Sequence, residues 1–306
     1  MRVSSGNSRT RNLIMNISEI NIYPIKSLKG IALSEAKVEK RGLRYDRRWM
    51  LTDREGMFFT QREVPKMAAV SVAVNGSGLK VSGEGFGDLS IPHEPDSAER
   101  QTVAVWDSRV EALAYRGSIN EWFSDVLSKA CQLVLMPEAS ERHVNKQFDT
   151  GTDIVSFADG YPLLLIGEGS LEDVNRRILE TKTDEERESF VPYPMNRFRP
   201  NLVVKGSESF AEDRWRTIRV GEAVFRVAKP CARCVMTTVD QTRGEFDGKD
   251  PLKTLATFRL AKQVWPDRFE SFGQNATAVL FGENLIPENP GVTVRVGDEV
   301  SVIEAR

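Results

Sequence analysis

Cysteine is scarce in this chain, with three residues among 306, at positions 131, 231 and 234. An odd and small number does not build the disulfide framework of a small secreted domain. It also falls short of the four thiolates that usually hold an iron–sulfur cluster, so an electron carrier of that kind must sit on another protein. Histidine is scarcer still, limited to His93 and His143. Neither sign of charge prevails: 42 Lys and Arg face 44 Asp and Glu, a net of −2. That balance gives no global field for gathering nucleic acid or an anionic membrane surface. No apolar run approaches the length that crosses a bilayer, and none resembles the core of a signal peptide. The expectation is a cytoplasmic protein with neither a nucleic-acid nor a membrane partner.

What is present suits a globular protein with a large core, since 40% of residues are hydrophobic and 28% charged. The length favours two domains. Residues 1–14, MRVSSGNSRTRNLI, are polar, basic and turn-rich, and are expected to be a disordered lead before Met15. The first half reads as short strands and tight turns. Ile20 and Ile22 alternate with polar residues, Asp53-Arg54-Glu55-Gly56 reads as a hairpin turn, and Asn75-Gly76-Ser77-Gly78 as another. Strands this closely spaced suggest a small barrel or sandwich. Helical periodicity begins at Ser118, where Ser118 and Glu121 form a capping-box pattern, and returns at Ser170 and at Asp250-Pro251. Arg219–Phe225 and Arg295–Val300 look like two similar glycine-acid hairpins. A boundary near residue 125 separates domains over 15–125 and 126–306.

The run Lys229-Pro230-Cys231-Ala232-Arg233-Cys234 carries the strongest chemical signal. Cys-x-x-Cys allows a redox dithiol, half of a structural zinc site, or one metal thiolate with a neighbour. Zinc needs further ligands, and Cys131, His93 and His143 are scattered. A thioredoxin-like dithiol belongs at a strand-to-helix junction, whereas Val235–Asp240 reads as a strand. Two half-buried thiols without a role are a further reading. Arg233 argues for function, because a guanidinium beside a thiol favours the thiolate and suits an anionic ligand. Basic residues also gather in turns at Lys26-Ser27, at Arg47-Arg48 and along Asn196-Arg197-Phe198-Arg199-Pro200-Asn201. Arginine forks match phosphate oxygens, although each cluster taken singly reads as a solvated face. Period two would set Arg197, Arg199 and Asn201 on one strand face.

Several separated motifs, YPIKSLKG, LRYDRRWML, DGYPLLLIGEGSLEDVNRR, RFRPNLVV, FAEDRW and PCARCVMTTVD, then carry a resemblance in series. From Met15 onward the chain resembles MOSC proteins with a MOSC N-terminal β-barrel domain, especially the amidoxime-reducing components of mitochondria and their bacterial relatives. The resemblance implies an α+β, β-rich fold: an N-terminal β-barrel-like domain followed by a MOSC β-barrel domain with peripheral helices. It implies a molybdenum cofactor, a pterin dithiolene with a terminal phosphate, with Cys234 as the catalytic metal ligand and Cys231 as its structural neighbour. Lys26, Ser27 and Arg47 match positions that hold the phosphate. Asp159, Arg199 and Asn201 match positions lining the pterin, with Arg197 and Arg233 nearby. At Gly160 and Tyr161 the chain departs from the hydroxyl residues of the mitochondrial members. Neither the membrane anchor of those members nor the ferredoxin-like domain of some bacterial ones stands in these 306 residues, so the expectation is a stand-alone form served by a separate electron donor or a truncated chain. The implied activity is reduction of N-hydroxylated compounds with electrons from a separate donor protein. A non-catalytic cofactor or sulfur carrier and a metal-free dithiol protein are the alternatives.

Overall fold

The structure is a computed structural model that describes residues 14–96, 99–266 and 276–306. The lead expected over residues 1–14 therefore lies, except for Ile14, outside the described residues. Eight strands form the largest sheet: β1 (Asn16–Ile22), β2 (Ile31–Leu33), β3 (Leu163–Gly167), β4 (Leu202–Lys205), β5 (Trp215–Val220), β6 (Ala223–Arg233), β7 (Val279–Pro287) and β8 (Val300–Ala305). Their order is β2-β1-β4-β3-β7-β6-β5-β8, with the β3–β4 pair alone parallel. Strands from the two ends of the sequence thus share one sheet. Glu35–Glu39 likewise pairs with Thr293–Arg295. The N-terminal part adds a four-stranded sheet, Trp49–Thr52, Gln132–Leu135, Ser108–Ala114 and Arg100–Val105 in that order, and a meander from Ser71 to Pro92.

β3 explains why the centre of the large sheet reads as an unbroken apolar run. Leu163 and Leu165 join one core with Ile17, Leu202, Ile218 and Phe225. Leu164 and Ile166 join another on the opposite face. A strand covered on both faces needs no polar alternation. The second core is roofed by α2 (Glu168–Glu180), whose Leu171, Val174 and Ile178 recur at helical spacing and are buried. Each such side chain contributes roughly 2 kcal/mol of transfer free energy. A third core, built around Trp49, Phe59, Phe123 and Leu133, belongs to the N-terminal part. The result is the β-rich α+β architecture expected from the sequence, with helices at the periphery.

Several local expectations are corrected. The helix expected at Ser118, α1 (Ser118–Leu127), takes Gly117 as its N-cap, and no side chain caps it. Gly117 turns in at φ +62, so the Ser118–Glu121 box does not form. α2 starts two residues before Ser170, whose hydroxyl instead donates to buried Glu212. The α-helix following Asp250-Pro251 spans Leu252–Phe258, and Pro251 stands just before it while Asp250 Oδ1 accepts from the Thr254 N–H at 3.0 Å. The Val296–Glu299 turn does not close a hairpin, because Thr293–Arg295 pairs with Glu35–Glu39 and β8 pairs with β5. Val235–Thr238 is a 3₁₀ turn with Cys234 at its N-cap, and only Val239–Asp240 is strand. There Thr237 and Thr238 hydroxyls donate to the Cys234 and Val235 carbonyls, offering the backbone a local alternative to a ladder. Among the described residues no helix is long and apolar enough to cross a membrane.

Candidate functional site

A cavity with about 810 Å³ of empty space, its open mouth included, lies where the N-terminal part meets the large sheet. It gathers Lys26, Ser27, Arg47, Asp159, Arg197, Arg199, Asn201, Arg233 and Cys234 from five separate stretches of sequence. Cys231 lines it as well. The convergence of Arg197, Arg199 and Asn201 does not come from strand alternation. Arg197 ends a 3₁₀ turn, Arg199 stands at φ +57, and β4 begins only at Leu202. Pro200 favours an extended residue before it, but the left-handed turn at Arg199 prevails and all three side chains are buried.

Tyr23 organises the floor. Its hydroxyl donates to the Pro200 carbonyl at 3.0 Å, and burial pushes its phenol up to about 12. The guanidinium groups of Arg47 and Arg199 both lie over its ring, 4.3 and 4.2 Å from the centroid. Gly30 is required here, since a Cβ at that position would meet the Tyr23 ring at 2.5 Å. Asp46 is fully buried, accepting from the Tyr23 N–H at 2.8 Å and from Arg47 Nη1 at 2.6 Å. Asn201 Oδ1 accepts from Arg47 and from the Leu164 N–H, and its amide nitrogen donates to the Asn21 carbonyl. Asn201 thus positions Arg47 and ties β1 to the site.

Opposite this floor, Lys26 Nζ donates to the Phe157 carbonyl at 2.8 Å and meets Asp159 Oδ1 at 2.5 Å. Burial lowers the pKa of this lysine. Burial alone would raise the Asp159 carboxyl, but Lys26 and Arg62 more than offset it and hold it well below the usual range. The Asp159 side chain still exposes 58% of its surface, and the 156–159 loop is pinned by Arg142, which donates to the carbonyls of Ser156, Ala158 and Asp159. Arg62 Nε donates to Cys234 Sγ at 3.4 Å. Arg233 Nη1 points at Cys231 Sγ, 3.2 Å away, while Nη2 donates to the Phe198 carbonyl at 2.7 Å. A bulge sets this edge: Pro230 faces Glu283 and Ala232 faces Leu280, so Cys231 opposes both Phe281 and Gly282. Bulges re-aim side chains, and this one lies beside the two thiols.

The charge balance identifies the kind of ligand. Arg47 has Asp46, Arg197 has Asp240 and Asp247, and Lys26 has Asp159. Among the described residues, Arg199 and Arg233 have no carboxylate within ion-pair distance. Arg199 reaches only Gln241 Oε1 at 3.3 Å, its Nη2 has no hydrogen-bond partner, and burial pushes its pKa down to about 10. Arg197 Nε, Arg233 Nε and the Tyr161 hydroxyl are also buried without partners. Buried donors left unmade are costly, and four such groups beside one cavity, with two arginines lacking a carboxylate, make it suited to a polar, anionic ligand. No group of three His, Cys, Asp or Glu side chains among the described residues is set to hold a metal ion. A metal reaching Cys234 must bring most of its own ligand frame.

Sequence reasoning missed Thr60, Met236, Thr237 and Asn284 in the cavity wall, and Arg62 against Cys234. Arg62 sits in Thr-Gln-Arg-Glu, with no spacing that connects it to Cys234, 172 residues away. The departures at Gly160 and Tyr161 fall on the wall, and space around Gly160 is open.

Residues 14–130 match the MOSC N-terminal beta barrel domain, and residues 152–301 match the MOSC domain. The chain is 34% identical over 301 residues to mitochondrial amidoxime-reducing component 1 of Mus musculus, covering 94% of this chain and 82% of that protein. The Homo sapiens protein of the same name is 32% identical, covering 97% and 86%. Molybdenum cofactor sulfurase of Oryza sativa subsp. japonica is 32% identical over 81% of this chain, which spans 31% of that longer protein. The chain therefore belongs to the family of MOSC proteins with an N-terminal MOSC β-barrel that includes the mitochondrial amidoxime-reducing components.

Proposed function

We propose that this protein is a molybdenum-cofactor-dependent reductase of N-hydroxylated compounds, such as amidoximes, hydroxylamines and N-hydroxylated base analogues. The observation that carries the reading is a half-exposed thiol, Cys234, on a cavity whose walls hold two arginines without carboxylate partners. The residues fit the group. Lys26, Ser27 and Arg47 would hold the terminal phosphate, for which a lysine and an arginine fork supply charge-assisted donors. Arg197, Arg199 and Arg233 carry unsatisfied donors for the pterin oxygens and nitrogens, and Asn201 keeps Arg47 in place. Cys234 would be the protein's one ligand to the metal, a soft thiolate for a thiophilic ion.

When bound, the group supplies an open coordination position and two stored electrons for breaking an N–O bond. The balance for an amidoxime is two electrons and two protons in, an amidine and one water out. Asp159, kept ionised by Lys26 and Arg62, would offer a hydrogen-bond acceptor at the cavity wall. Arg62 keeps an N–H on the Cys234 sulfur, an outer contact of the kind that orients a metal ligand. Three cysteines are too few for an iron–sulfur cluster within these residues, so the electrons would come from a redox group outside them. A second reading, a non-catalytic cofactor or sulfur carrier, is favoured by the likeness to the sulfurase. The test is reduction of benzamidoxime by the cofactor-loaded protein with an artificial electron donor. Turnover that falls at least about 100-fold in Cys234→Ala supports the reductase. Tight cofactor binding with no turnover supports the carrier.

A further inference from the structure

Trp106 is the first residue of the two-residue turn between Arg100–Val105 and Ser108–Ala114, where Ser108 pairs with Val105. It stands at φ +54, a left-handed position that suits glycine or asparagine and is an outlier for a bulky side chain. It is also 48% exposed, so core burial does not explain its presence there. Its indole is nonetheless held in place. The Arg62 guanidinium lies 4.8 Å from the ring centroid, and Phe58 packs edge-on at 5.2 Å and 67°. Arg62 in turn donates to Cys234 Sγ at 3.4 Å and approaches Asp159 Oδ2 at 3.7 Å. The indole also hydrogen-bonds the Asp159 side chain, so one guanidinium and one carboxylate stand between an exposed aromatic surface and the candidate metal ligand. A strained bulky residue stacked against the cation that bonds Cys234 points to use of its side chain, and a flat exposed indole is suited to stacking on another flat ring.

Resting on the reductase reading above, we propose that Trp106 is a specificity-determining platform. The ring of an aryl N-hydroxylated substrate stacks on its exposed surface while the N–O group reaches past Arg62 toward Cys234. An alkyl substrate of the same functional group lacks the π-face and loses this contact. The test is calorimetric binding of benzamidoxime and acetamidoxime to the cofactor-loaded protein with no electron donor present. Wild type, Trp106→Gly and Trp106→Phe are compared; glycine suits the φ of this turn, so removing the ring does not strain the hairpin. The wild-type protein is expected to prefer the aryl ligand. Trp106→Gly lowers the aryl-to-alkyl affinity ratio about tenfold, and Trp106→Phe restores most of it. A ratio unchanged in Trp106→Gly overturns the proposal, as does an equal loss of affinity for both ligands, which would make Trp106 only a support for Arg62. Adding the electron donor separates the two readings: absence of turnover counts against the reductase, while the affinity ratio still decides the role of Trp106.

Discussion

Arg199 shows how a single residue reports an intended ligand. It is 7% exposed, stacks on Tyr23, and leaves Nη2 without a partner. A buried charge without an anion costs stability, and replacing such a group by an apolar one of similar size is often neutral or stabilising. Arg199→Met is therefore expected to leave the cofactor-free protein as stable as wild type or more so, by roughly 1 kcal/mol, as read from thermal unfolding. The same variant is expected to fail to retain the cofactor. A large loss of stability in the cofactor-free variant would mean that Arg199 serves the fold and not the ligand. The residues found by motif, including Arg199, were legible because they stand in ordered series along the chain. Arg62 and Trp106 were not, since their relation to Cys234 exists only after folding.

At the scale of elements, the β6–β7 bulge is what shapes the thiol-bearing edge. Gly282 stands at φ +76, and a Cβ there would lie 2.6 Å from Ile166 Cγ1 and 2.8 Å from the Leu165 carbonyl oxygen. Both faults act together in Gly282→Ala, which is expected to cost at least about 2 kcal/mol in urea unfolding. A loss below half of that would show that β7 relaxes freely around the bulge. Short strands and glycine-bearing turns of the N-terminal half were readable from alternation and turn chemistry, whereas the β-rich class of the whole came from the motif resemblance. What misled was local chemistry with two outcomes. Val235-Met236-Thr237-Thr238 has strand propensity, yet threonine back-bonding folds it into a 3₁₀ turn. Arg197 to Asn201 has strand spacing, yet the left-handed Arg199 ends that pattern.

Across the whole molecule, sequence order and spatial order differ. β1 and β2 lie in the same sheet as β8, and the cavity takes Lys26, Arg47 and Thr60 from the N-terminal part and Arg199, Arg233 and Cys234 from the rest. Periodicity does not reveal such interleaving, because it carries no information about which strands pair over long range. Expressing residues 131–306 alone strips β1 from β4 and exposes an apolar edge. Such a chain is expected to aggregate and to show no cooperative thermal transition; a monomer with a sharp transition would contradict this interdependence. The central claim, that Cys234 is the thiolate for the cofactor's metal while Cys231 is its neighbour, has a direct test. Molybdenum per protein is measured in wild type, Cys231→Ala and Cys234→Ala prepared identically. The expected result is near-stoichiometric metal in the first two and its loss in the third; full molybdenum in Cys234→Ala would contradict the account.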